Sequence, residues 1–162
     1  MPKHIIFTPS QRAYTGYSDL FVLTHADLTE ATDNTDQTVT LDALAFGDIV
    51  KYDAVIQIKT AFDAANVSAD NALTVSLGVT GAATQIIGAS ALAASGAGTA
   101  AKTTYCTAAG GAAYPTPTGG KNLIATFDIT DADGALADYS AGEIHVYLNI
   151  VRQADLVAAG EV

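Results

Sequence analysis

Strict two-residue alternation of apolar and polar side chains most limits what this chain can fold into. In residues 142–151, Ile144, Val146, Leu148 and Ile150 fall on one side. Glu143, His145, Tyr147 and Asn149 fall on the other. Successive side chains of a β-strand point to opposite faces, so the pattern predicts a strand with one buried face. The period recurs in residues 48–60. There Val50, Tyr52, Ala54, Ile56 and Ile58 oppose Lys51, Asp53, Gln57 and Lys59, with Val55 as the exception. Leu73, Val75, Leu77 and Val79 alternate with Thr74, Ser76 and Gly78. Leu123, Ala125, Phe127 and Ile129 alternate with Ile124, Thr126 and Asp128. Residues 17–24, 38–41 and 4–8 add shorter strands, the last at a sheet edge.

Turn chemistry separates these runs at Asp33-Asn34, Phe46-Gly47-Asp48, residues 66–71, residues 131–134 and Ala141-Gly142. Roughly seven or eight short strands with little helix predict an all-β fold, a single β-sandwich or jelly-roll-like domain. One short helix is expected at residues 89–94, from alanine propensity, with Gly96 as its stop. A chain of 162 residues fits one domain. It buries enough surface to need neither disulfides nor a structural metal. Cys106 is the sole cysteine, so no disulfide can form within the chain.

Charge is distributed unevenly. The net charge is −10, with seven Lys and Arg against 17 Asp and Glu. Nucleic acid and anionic membranes require a basic surface, so neither is an expected partner. No apolar run reaches the roughly 20 residues that cross a bilayer, and no signal peptide is expected. Residues 1–18 contain no acid and carry Lys3 and Arg12. Residues 71–127 also contain none. Residues 1–16 are therefore expected to form an N-terminal arm on a sandwich of residues 17–162. Residues 80–120, rich in Ala, Gly and Thr, form a long connection within it. Both acid-free segments are expected to meet partners, because an uncharged surface is inexpensive to desolvate.

No motif points to catalysis. His4, His25 and His145 lack the spacing of a metal-binding helix, and Cys106 has no partner thiolate nearby in sequence. Asp128-Ile129-Thr130-Asp131-Ala132-Asp133-Gly134 resembles half a calcium loop. Ile129 stands where the first donor belongs, and Ser140 where the distal Glu belongs. An acidic turn is the expectation there and at residues 32–36. Asn66-Val67-Ser68 matches a glycosylation sequon. No catalytic residue, cofactor or metal is expected. Tyrosine joins a large apolar area to a polar tip and is enriched at interfaces. The expected contact residues are thus Lys3, Ile5, Phe7, Arg12, Tyr14 and Tyr17 near the N-terminus, and Tyr105 and Tyr114 in the middle.

Several segments together resemble virion structural proteins of tailed bacteriophages, of the capsid decoration (cement) type. They are Asp27-Leu28-Thr29-Glu30, Asn34-Thr35-Asp36-Gln37-Thr38, then Leu41 and Leu44 up to Gly47-Asp48-Ile49-Val50. Leu73-Thr74-Val75-Ser76-Leu77-Gly78, Leu123-Ile124-Ala125-Thr126-Phe127 and Ala141-Gly142-Glu143-Ile144-His145-Val146-Tyr147-Leu148 complete the order. The likeness covers roughly residues 17–152, by order and spacing of the motifs. It implies a non-enzymatic protein made in the host cytoplasm and placed on the capsid surface of the virion. A homotrimer and a major capsid protein as partner are implied with it. The alternative is a carbohydrate- or receptor-binding β-sandwich module on a tail or surface, which clustered exposed aromatics would mark.

Overall fold

The computed structural model describes residues 1–51, 53–64, 73–92, 121–129 and 134–160, and residues 103–105 by backbone alone. The strands are β1 (Lys3–Ile6), β2 (Asp19–Thr24), β3 (Gln37–Ala43), β4 (Ile49–Val50), β5 (Val55–Asp63) and β6 (Leu73–Val79). They continue as β7 (Ala82–Ala91), β8 (Thr103–Tyr105), β9 (Asn122–Ile129), β10 (Ala141–Leu148) and β11 (Ile150–Val151). Two short helices are α1 (Pro9–Thr15) and α2 (Gln153–Ala159). One antiparallel sheet has the order β1-β2-β10-β5-β8, the other β3-β9-β6-β7, and β4 and β11 form a small ribbon.

The sheets meet face to face, because alternation gives each one an apolar side. Phe21, Leu23, Ile56, Ile58, Ile144, Val146 and Leu148 supply the first inner face. Leu73, Val75, Leu77, Leu123, Ala125 and Phe127 belong to the same core from the second. Phe62 of β5 lies 6.4 Å from Phe127 of β9, ring centroid to centroid, and 6.0 Å edge-on from Tyr139. Burying each such large side chain contributes about 1.5–3 kcal/mol. The all-β sandwich read from the alternation is the observed fold class. Asn34 takes the left-handed conformation (φ 52°) at the Asp33-Asn34 turn, as its short polar side chain permits.

Several local expectations change. The predicted helix at 89–94 is replaced, through residue 91, by β7. Ile86 and Ile87 are fully buried, Thr74 and Val75 pair with Ala91 and Ser90, and Leu92 N–H donates to the Leu73 carbonyl at 2.8 Å. Pairing and burial outweigh alanine's weak preference for helix. The expected single strand at 48–60 is two strands: β4 joins β11, and β5 joins β10. Ala141-Gly142 is no turn. It is a bulge within β10, where Gly142 has φ 141° and a Cβ would stand 2.4 Å from the Phe62 ring. In the expected long connection, 82–91 and 103–105 are strands. Residues 93–102 and 106–120 lie outside the described residues, as do the whole 66–71 turn with the sequon, residues 131–133 of the 131–134 turn, and Cys106.

The first 16 residues are folded onto the sandwich. β1 pairs antiparallel with β2, from Lys3 opposite Val22 to Ile6 opposite Asp19. The helix that follows is specified locally. Thr8 caps it: Gln11 N–H donates to Thr8 Oγ1 at 3.4 Å, and Thr8 N–H donates to Gln11 Oε1 at 2.9 Å. Pro9 occupies the first turn, and Gly16 closes the helix at φ 77°.

Candidate interaction surface

Register places Lys3, Val22, His145 and Gln57 in one row across β1, β2, β10 and β5. Ile5, Leu20, Tyr147 and Val55 form the next row. These side chains share the face turned away from the core, as alternation requires. The rings of Phe7 and Tyr17 approach Tyr147 at 6.5 and 5.6 Å, and His145 meets Tyr147 edge-on at 6.2 Å. His145 Nε2 lies 2.7 Å from Glu143 Oε1, so this half-buried histidine of the polar face is paired.

The expected contact residues divide by environment. Lys3 is exposed and Ile5 half-buried on the outer rows. Phe7 is buried, and its N–H donates to the Ser18 carbonyl at 2.8 Å, so it anchors the segment and offers no contact area. Arg12 Nε donates back to the Phe7 carbonyl at 3.0 Å, tying helix to strand, and its residue remains exposed. Tyr14 is 93% exposed on α1, a helix with no buried residue. Tyr17 is half-buried beside Tyr147. Tyr105 stands opposite Val55 at the end of β8, and Tyr114 lies outside the described residues. Phe7, Tyr17, Lys3 and Ile5 thus gather on one sheet face, and Tyr14 projects from the helix next to it.

Two features escape the strand pattern. Phe46 and Val157 are 71% and 56% exposed and line an open cleft of about 650 Å³ together with Ala43, Ala45 and Ala154. A charged cluster lies close by. Arg152 Nη2 donates to Asp19 Oδ1 and to Asp42 Oδ2, each at 2.9 Å. Burial favours the neutral guanidine, but Asp42 and Asp19 outweigh it and raise the Arg152 pKa further. Asp19 is also 2.8 Å from His4 Nε2, whose ring stacks on Phe21, and it accepts from the Ser18 hydroxyl.

Ser18, Asp19 and His4 do not form a nucleophile relay. The carboxylate sits between hydroxyl and imidazole, so His4 is not placed as the base for Ser18. Ser18 Oγ also accepts from Ile150 N–H at 2.7 Å, which joins β2 to β11. Among the described residues, no group of three or more His, Cys, Asp or Glu is arranged to hold a metal ion. Residues 130–133 of the half calcium loop lie outside them. At its near end, burial and then Asp128 raise the pKa of Asp36.

A further pair fixes the other end of β2. The Met1 ammonium lies 2.7 Å from Asp27 Oδ1. Burial pushes the Asp27 carboxyl up, but this ammonium and the Thr24 hydrogen bonds outweigh it and hold the pKa below its ordinary value. No helix among the described residues is long and apolar enough to cross a membrane. Comparison with protein families, with curated proteins and with solved structures finds no match for this chain.

Proposed function

We propose that this chain is a non-enzymatic virion structural protein, one that decorates and stabilises a capsid shell through protein–protein contacts. The observation that carries the reading is the N-terminal segment. In a chain of net charge −10, it is free of acid and held in a defined conformation by β1 pairing and the capped α1. It offers Lys3, Arg12 and the exposed Tyr14. A contact element ordered before binding loses less entropy on docking. The resemblance of the strand motifs to phage decoration proteins supports a capsid shell as the surface and a major capsid protein as the partner. It also supports a homotrimer on the virion surface. Many symmetric copies then combine weak contacts into firm attachment.

Two measurements test this reading. Light scattering is expected to give three times the chain mass. Shells assembled from the major capsid protein of the same genome are expected to carry the protein into the pellet on sedimentation. A monomer that stays in the supernatant would contradict both parts.

A second reading is a carbohydrate- or receptor-binding module. It draws on the outer sheet face, where Tyr17 and Tyr147 supply aromatic area and Glu143 and His145 supply polar groups. A glycan array separates the two: specific signal lost in Y147A favours this module.

A further inference from the structure

α2 is a seven-residue helix without a buried residue. A helix this short is unstable alone in water and ordinarily relies on an apolar face packed against the core. Among the described residues, no other element packs extensively along α2. Its polar attachments to the sandwich among the described residues gather at one end. Arg152 joins Asp19 and Asp42, and Gln153 N–H donates to Asp48 Oδ1 at 3.0 Å. Asp48 is buried and also accepts from Ala45 N–H at 2.9 Å, which holds the turn below the helix. The Gln153 side chain lies on Gly47, where a Cβ would be 2.1 Å from its Oε1. Beyond that first turn, α2 borders the cleft of Ala43, Ala45 and Phe46.

We propose that α2 is a polar latch that releases as a unit while the sandwich stays folded. The division of contacts permits this. β11 remains paired with β4 through Ile150 and Val50, so the hinge falls at Arg152. Asp19 keeps His4 and Ser18 when Arg152 leaves, so its buried carboxylate is not stripped of partners. Asp42 is only partly buried and can turn to water. Release opens the side of the cleft that α2 borders, beside Ala43, Ala45 and Phe46, which are exposed already in the closed form.

Hydrogen exchange on the full chain tests the latch, with wild type, D42N and A158G compared at low and high salt. D42N loosens one attachment at a partly buried position without stranding a buried charge, because Arg152 keeps Asp19. Amides of 155–160 are expected to exchange on the order of a hundredfold faster than those of β9 and β10. In D42N they should exchange about fivefold faster again, with β9 and β10 unchanged. High salt should speed α2 exchange in wild type more than in D42N, since it screens the same ion pair. A158G lowers helix propensity alone and should speed exchange about fivefold at either salt. Exchange of α2 at the rate of β9 and β10 would overturn the proposal. So would α2 protection that D42N leaves unchanged.

Discussion

Arg152 and Asp19 stand 133 positions apart in the chain and meet at 2.9 Å, with the Asp19 side chain 1% exposed. The contact ties the end of β11 to the start of β2, next to the β1 edge. Removing one member of a buried pair leaves the other charge poorly compensated. R152M is expected to lower unfolding free energy by about 1–3 kcal/mol, since Asp19 loses one charged hydrogen bond but keeps Ser18 and His4. Urea denaturation measures it. R152M combined with D19N should recover part of the loss, because the less well compensated charge is gone. An R152M midpoint equal to wild type would show that the pair contributes nothing.

Gly142 and Phe62 set the bulge in β10. Gly142 holds φ 141°, and any Cβ there would enter the Phe62 ring at 2.4 Å. G142A therefore combines backbone strain with overpacking and should cost about 1–3 kcal/mol. Adding F62L relieves the steric part alone, so the double variant should regain some stability in thermal unfolding. Additive losses would place the whole cost in the backbone.

Asp36 faces Asp128 at the open end of the β3–β9 pair. Burial and then Asp128 raise the Asp36 pKa in the folded state. The native state therefore holds this proton longer than the unfolded chain does. The stabilisation is complete below the unfolded value and is lost as pH rises through the folded one. D36N removes the repulsion and should raise Tm by about 1–2 °C at pH 7. The gain should vanish at pH 3. A larger gain at pH 3 than at pH 7 would reverse the assigned sign.

The parts of the fold legible in the sequence are those where one face is buried. β6, β9 and β10 follow their alternation because a one-residue slip would expose every apolar side chain. Residues 89–91 were less legible, since an alanine-rich run carries little pattern and its pairing with β6 is set by Ile86 and Ile87. The α1 helix has a local signature in Thr8, Pro9, Gln11 and Gly16, but it lacks the apolar stripe that usually marks a helix. The same lack hides α2. Of the aromatics expected as contact residues, Tyr14 stands exposed, whereas Phe7 is buried. Composition cannot separate an aromatic anchor from an aromatic contact, and Tyr147, which gathers Phe7 and Tyr17, reads only as part of a polar face. The link between Arg152 and Asp19 depends on strand order, which local sequence does not encode.

Point changes test the proposed docking role of the N-terminal segment better than deletion does, because β1 belongs to the sheet. K3E and Y14A alter exposed side chains, and together they should leave the thermal transition within about 1 °C of wild type. Sedimentation of wild type and of this double variant with capsid shells is the most direct measurement. Wild type is expected to bind saturably and the variant at least about tenfold more weakly, a difference of about 1.4 kcal/mol. Equal binding by both proteins, or no binding by wild type, would contradict the proposed docking role.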